Sequence, residues 1–202
     1  MLEHILDRLR EAGFTEGLLV TGFRAELIES HFAGYPMPLR TVRQTTLDGT
    51  GAATLLAREF CGDEPFLLTF GDILTGSGEY AAMRDGFDAH PETAALLAAK
   101  HVDDPWQGAA IYETGGVVSK IVEKPPRGSS TTQWNSAGVY IFRPVVFEIL
   151  AGIPRSPRGE YELTTAIERM LEGGQCVRLH ALTGGWRDVG RPEDLDSARE
   201  MV

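Results

Sequence analysis

Pro65-Phe66-Leu67-Leu68-Thr69-Phe70 is apolar at almost every position, and Gly71-Asp72 follows it directly. An unbroken apolar run of this length predicts a strand covered on both faces, as strands of parallel sheets are. Open α/β sheets bind ligands outside the carboxyl ends of their strands, so Asp72 stands where a ligand would sit. Taken alone, Gly-Asp after a strand is more often a plain turn that caps the next segment.

The same texture extends outward in both directions. Leu2, Ile5, Leu6 and Leu9 recur at helical spacing and predict a helix over 2–12, stopped by Gly13. Residues 17–21 form a second short apolar strand. A helix over 23–32 is expected to turn Ala25, Leu27, Ile28 and Phe32 inward. A strand over 39–43, a helix over 51–60 and a helix over 80–89 follow. Residues 94–101 fit helix or strand, and their surroundings favour a buried strand. Short apolar strands between amphipathic helices predict a three-layer α/β fold, a mostly parallel sheet with helices on both faces.

Beyond residue 105 the texture changes. Strands over 109–113 and 117–123 flank Thr114-Gly115-Gly116, a hairpin signal. A strand over 136–142, helices from Pro144 and over 163–171, and a strand over 176–182 complete the pattern. Pro192, with Glu193 and Asp194 in the first turn, opens a last helix.

Composition narrows the function. The chain has 202 residues, 43% of them hydrophobic, enough for one domain with a proper core. A net charge of −10 argues against a nucleic-acid partner, which wants a basic face. It leaves a nucleotide open, since a few local cations and a metal ion suffice for a triphosphate. Cys61 and Cys176 are too few and too isolated for a disulfide framework or a zinc site, and a reducing, cytoplasmic setting is the simplest expectation. Glu3, Asp7, Arg8, Arg10 and Glu11 interrupt any signal peptide, and no apolar run reaches membrane-spanning length.

Lysine is scarce, three residues against sixteen arginines, and one of the three lies in Glu123-Lys124-Pro125 at the end of the 117–123 strand. An ammonium there suits a phosphate, and the neighbouring carboxylate can accept hydrogen bonds from hydroxyls. The proline stops the ladder and aims both side chains out of it. Together they suggest a sugar phosphate, although a surface Glu-Lys pair before a loop is the commoner meaning of such residues. Asp188, after Trp186, is a candidate second carboxylate beside Asp72 for Mg²⁺, or else an acceptor at a helix start. Gln44 can read a base edge, and Asp48-Gly49-Thr50-Gly51 places backbone near a ligand or simply begins a helix. Asn135, Ser136 and Gly138 bind hydroxyls or make a turn. The five histidines show no ligand spacing.

Taken in order, these pieces resemble the sugar-phosphate nucleotidyltransferases: glucose-1-phosphate thymidylyl- and uridylyltransferases and mannose-1-phosphate guanylyltransferases. The resemblance runs from Met1 nearly to Val202. It rests on the opening helix, the Gln44 to Thr50 stretch, Phe70-Gly71-Asp72, Glu123-Lys124-Pro125, Ser136-Ala137-Gly138-Val139-Tyr140-Ile141-Phe142, Gly159-Glu160-Tyr161-Glu162-Leu163-Thr164 and Trp186-Arg187-Asp188-Val189-Gly190-Arg191-Pro192. It implies a Rossmann-like fold with a nucleotide-binding half over 1–105 and a sugar-phosphate half over 106–202. It implies that Asp72 and Asp188 hold Mg²⁺, that Lys124 meets the sugar phosphate and Glu123 its hydroxyls, and that Gln44 and Gly49 face the base, with Thr50 also binding substrate. Gly108 matches a glycine near the sugar, preceded here by Gln107 rather than the usual tyrosine. The usual Asn-Ala-Gly appears as Asn135-Ser136-Ala137-Gly138, so either Asn135 reaches in by a bulge or Ser136 replaces it. The reaction implied is nucleotidyl transfer from an NTP to a sugar 1-phosphate, with no membrane or nucleic-acid partner; self-association is compatible with it.

One expected element is absent. The resemblance calls for a first strand running into GxGTRLxPLT, and Met1 matches a position just past it. The expectation is therefore a chain truncated at its N-terminus, inactive as it stands, with two strands left with unpaired edges. A non-catalytic regulatory subunit that binds a sugar phosphate or nucleotide-sugar is the alternative. A glycosyltransferase would want an Asp-x-Asp motif at a strand end, and the only candidate, Asp194-Leu195-Asp196, falls in the final helix.

Overall fold

The structure, a computed structural model, describes residues 1–191 together with 193, 194 and 198. The order is α1 (Leu2–Glu11), β1 (Gly17–Thr21), α2 (Ala25–His31), β2 (Leu39–Arg43), α3 (Thr50–Leu55), α4 (Arg58–Cys61), β3 (Phe66–Thr69), β4 (Ile73–Thr75) and α5 (Glu79–Asp88). Then come β5 (Thr93–His101), β6 (Ala109–Thr114), β7 (Val117–Glu123), β8 (Trp134–Phe142), α6 (Val145–Leu150), α7 (Leu163–Glu172), β9 (Cys176–Ala181) and β10 (Trp186–Asp188).

The core forms around β5, the stretch whose sequence fits two conformations. Thr93 to Ala99 are all buried. Alternate residues face opposite ways, as a pleated strand requires. Ala95, Leu97 and Ala99 pack with Val146, Phe147 and Leu150 of α6 and with Leu163, Ala166, Ile167 and Met170 of α7. Leu96 and Ala98 pack with Ile5 of α1 and with Tyr80, Met83 and Phe87 of α5. This is the expected three-layer α/β arrangement, and it explains why a central strand is rich in alanine: small side chains let both helical layers approach.

The main sheet is more mixed than a mostly parallel one. Its order is β3-β8-β5-β9-β7-β6. β5 and β9 are parallel neighbours, but β8 inserts antiparallel between β3 and β5. The β6–β7 hairpin adds further antiparallel pairs. Its loop is the two residues Gly115 and Gly116, with φ of 59° and 81°, the positive values a tight hairpin turn requires. β1 and β2 pair in parallel as a separate ribbon. Among the described residues β1 has only β2 as a strand partner, and β3 only β8.

Other expectations needed correction. β3 is half-buried rather than strongly buried, because it lies at the edge of its sheet. Leu27 is 58% exposed: Ala25, Ile28 and Phe32 occupy the inner face of α2, and Leu27 lies on the opposite side. The helix expected over 51–60 is broken at Leu56 and Ala57, whose N–H groups bond to carbonyls three residues back and tighten the turn. The last helix, expected to open at Pro192, lies outside the described residues, as do Leu195 and Asp196. No helix among the described residues is long and apolar enough to cross a membrane.

Candidate active site

A cavity of about 500 Å³ opens beside the carboxyl ends of β3 and β5. Of the residues singled out in the sequence, Thr50, Gly108, Glu123, Lys124, Asn135, Ser136, Gly138 and Asp188 line it. Asp72, Gln44 and Gly49 do not.

Asp72 is nonetheless tied to that wall. β10 pairs antiparallel with β4, setting Asp188 opposite Ile73, and the Val189 N–H donates to the Asp72 carbonyl at 2.9 Å. Two carboxylates from distant parts of the chain thus meet at one strand end. One side of Asp72 is open to solvent, yet partial burial raises its carboxyl above the ordinary value, and the negative charge of Asp188 raises it further. Like charges held together in this way suit a divalent cation. Among the described residues no group of three or more acidic, imidazole or thiol side chains forms a closed cage. The two carboxylates, close enough for Asp188 to raise Asp72, are a donor set of the kind Mg²⁺ takes, one or two carboxylates with water and phosphate completing the shell.

Glu123 and Lys124 stand at the end of β7. Lys124 has φ of 40°, left-handed backbone that a non-glycine residue adopts at a cost of about 1–2 kcal/mol. Its N–H is held by the Gly108 carbonyl at 2.8 Å. The kink, together with Pro125, turns the chain out of the ladder. Lys124→Gly is expected to raise stability by about 0.5–1 kcal/mol, the strain relieved less glycine's extra chain entropy, while removing the ammonium. Denaturant melts of the two proteins check it; equal or lower stability would remove the case for strain. Burial pushes the Glu123 carboxyl up and nearby Glu162 adds to this, while Arg158 and Lys124 pull it down.

The register question at 135–138 resolves into a bulge. Leu97 faces Tyr140 and Ala99 faces Ser136, so two steps on β5 span four on β8. Gly138 (φ 76°) makes this bend, and its carbonyl accepts from Phe70 N–H at 3.0 Å. A Cβ there would lie 2.9 Å from Ile73, so the bend requires glycine. Asn135 is buried against Gly108, its Nδ2 donating to the Ser136 carbonyl at 2.7 Å, and its Oδ1 has no partner. The Ser136 hydroxyl is engaged with that of Tyr140 at 2.8 Å. Asn135 is thus the residue with an acceptor to spare.

The glycines at 49 and 51 meet backbone of the same chain. A Cβ on Gly49 would lie 2.5 Å from the Tyr161 carbonyl oxygen, and Gly51 N–H donates to that same oxygen at 2.7 Å. The Thr50 hydroxyl accepts the Leu163 N–H at the start of α7 at 3.1 Å. Gln44 donates to the Asp48 carboxylate and the Gly49 carbonyl at 3.3 and 3.1 Å. This turn therefore docks the front of α7, and its glycines allow that close approach.

Sequence reasoning missed several residues. Arg158 lines the cavity and ion-pairs with Glu123, Glu160 and Glu162 at 3.3, 3.7 and 3.0 Å. It immediately precedes the stretch from Gly159 to Thr164 noted above. Lys100 lines the same cavity with its Nζ 3.1 Å from the Trp186 ring centroid. Burial lowers its pKa to about 8, partly opposed by Asp188. It too is one of three lysines, at the end of a buried strand, so scarcity could have flagged it. Glu79, only 3% exposed, anchors the approach to β10. It accepts from Thr183 N–H and Oγ1 and Gly184 N–H at 2.9, 3.0 and 2.6 Å, and meets His180 Nε2 at 3.2 Å. Burial alone would raise its carboxyl; the bonds from Gly184, His180 and Thr183 outweigh it and hold it below the ordinary value.

The profile of the nucleotidyl transferase family matches residues 1–202. The chain belongs to that family. It is 30% identical over 207 residues to a low-salt glycan biosynthesis nucleotidyltransferase of Haloferax volcanii, covering 100% of this chain and 57% of that protein. It is 33% identical over 202 residues to the bifunctional protein GlmU of Methanococcus maripaludis, covering 98% of this chain and 46% of the relative. A UTP–glucose-1-phosphate uridylyltransferase of Haloferax volcanii is 26% identical over 205 residues, 100% of this chain and 83% of that one. This nucleotidyl transferase chain thus spans about half the length of the first two relatives. Its fold matches UDP-glucose pyrophosphorylase complexed with UDP-glucose, with a TM-score of 0.87 at 22% identity over 98% of this chain and 84% of that one.

Proposed function

We propose that this chain binds a sugar 1-phosphate for nucleotidyl transfer from an NTP, with residues 106–202 as the sugar-phosphate half and 1–105 as the nucleotide half. The observation that carries it is Glu123 beside Lys124 on one cavity wall, with Arg158 adjacent and Asp188 on the same cavity. Lys124 meets the phosphate, Glu123 accepts hydrogen bonds from sugar hydroxyls, and Asn135, Ser136 and Gly138 border the sugar on the same cavity. Gln44 and Gly49 face the base, and Thr50, between Gly49 and Gly51, reaches the cavity. Asp72 and Asp188 would hold Mg²⁺, which when bound neutralises phosphate charge. The sugar phosphate oxygen attacks the α-phosphorus in line and pyrophosphate leaves, with no covalent enzyme intermediate. Positioning and charge neutralisation are the main contributions asked of the protein. The chain is placed in a reducing, cytoplasmic compartment, the simplest setting for two isolated cysteines.

The 202 residues include no GxGTRLxPLT segment. The chain assayed alone is therefore expected to bind without turnover, which is what the non-catalytic reading also requires. Calorimetric titration with a panel of hexose 1-phosphates should give at least one ligand about ten-fold tighter than its unphosphorylated sugar, the worth of one charge-assisted phosphate contact. Adding NTP and Mg²⁺ should release no pyrophosphate. Failure of every sugar phosphate to bind sinks the proposed site, and robust pyrophosphate release shows that these 202 residues catalyse transfer without a GxGTRLxPLT segment.

A further inference from the structure

Lys100 is half-buried at the end of β5, opposite Asn135 in the β5–β8 pairing. Its ammonium rests on the face of Trp186, which is itself fixed by its Nε1 donating to the Ala137 carbonyl at 2.8 Å and by pairing with Thr75. Among the described residues Lys100 has no ion pair, although Asp188 is near enough to attract it. Withdrawing an ammonium from water without a carboxylate partner is costly, and an aromatic face returns only part of that cost. Such a group is stable at a cavity wall when an anion comes to it. The wall also connects it to Lys124: Asn135 packs against Gly108, and the Gly108 carbonyl holds the Lys124 N–H.

We propose that Lys100 is a second phosphate ligand of this cavity, parked on Trp186 until the anion arrives and then holding, from the β5 side, the phosphoryl group that Lys124 holds from the β7 side. The inference rests on the sugar-phosphate reading of the cavity. It adds a residue that no motif marks and a resting position that has its own signal, because an ammonium leaving an indole face changes that indole's fluorescence.

The test compares the wild-type chain with Lys100→Met and Lys100→Arg, using hexose 1-phosphate, the free hexose and inorganic pyrophosphate as probes. Methionine keeps the bulk on Trp186 and removes the charge. Lys100→Met is expected to bind hexose 1-phosphate and pyrophosphate about ten-fold or more weakly, with free hexose unaffected, and Lys100→Arg to recover most of the loss. The thermal stability of Lys100→Met should equal or exceed that of the wild type, since a half-buried ammonium with no ion pair is gone. The fluorescence change on binding should vanish in Trp186→Phe. Unchanged anion binding in Lys100→Met overturns the inference and leaves the sugar-phosphate reading standing. If the wild type binds pyrophosphate through Lys100 but no hexose 1-phosphate, the sugar reading falls and the phosphate-ligand assignment survives. If the wild type binds neither anion, both fall. A variant that loses stability while keeping anion affinity makes Lys100 a packing residue and also overturns the inference.

Discussion

Asp188→Asn is expected to weaken Mn²⁺ binding, with Mn²⁺ as the probe for Mg²⁺, by about ten-fold or more, because it removes half the charge of a two-carboxylate site. Metal-free protein should respond in the opposite sense. Asp72 is raised first by burial and then by Asp188. Losing the Asp188 charge should bring the Asp72 carboxyl part of the way back, with the burial contribution left in place. A carboxyl raised in the folded state stabilises the fold below its unfolded pKa, and that contribution is lost as pH rises through the folded one. Asp188→Asn shrinks this loss, so in a Lys100→Met background, where the attraction of Asp188 for that ammonium is absent, the metal-free variant should be more stable than its metal-free parent at neutral pH, and added Mn²⁺ should reverse the order. Electron paramagnetic resonance of Mn²⁺, an NMR titration of Asp72 and paired melts would read all three. Equal Mn²⁺ affinity in the two proteins would remove the carboxylate pair as a metal site.

The parts of this molecule that can be read along the chain are those whose signal is local. Strands such as β1, β2 and β7 match their expected bounds, because four to seven residues of apolar pattern suffice. The hairpin is spelled out by Gly115-Gly116, and Glu123-Lys124 by the scarcity of lysine. What stayed hidden depends on contacts between distant segments. β4 and β10 have three residues each, too short for any periodicity, yet their pairing is what brings Asp188 to Asp72. The close packing of the glycines at 49 and 51 against the Tyr161 carbonyl leaves no mark along the chain. The antiparallel insertion of β8 is likewise invisible, since a strand buried on both faces reads the same in either direction. The resemblance supplied roles for Asp72 and Asp188 that neither residue's own neighbourhood could carry.

Glu79 shows how much the site owes to such contacts. Its bonds join residues separated by 101 to 105 positions, and they hold the turn that leads into β10. On the other side of that turn a Cβ on Gly76 would lie 3.0 Å from the Gly184 Cα, so the two strands meet backbone to backbone. Glu79→Ala is expected to cost about 2–4 kcal/mol, since it removes one charged acceptor from several donors and part of that loss is recovered by water reaching the exposed turn. Glu79→Gln keeps an oxygen for Thr183 and Gly184 and should cost about 1 kcal/mol. The consequence should be local. Released from its anchor, β10 should fray, and the Val189 amide, which donates to Asp72, should exchange at least about ten-fold faster while α5 and β5 amides stay protected. Mn²⁺ affinity should fall with it. Hexose 1-phosphate affinity should not, because Glu123, Lys124 and Arg158, and Lys100 on β5, hang on other elements. Gly184→Ala pushes on the same contact from the opposite side and should reproduce the pattern if Glu79→Ala proves too unstable to study. Exchange at Val189 unchanged in both variants would mean that β10 keeps its register without the anchor, and that Asp188 is positioned by Trp186 and the β4 pairing alone.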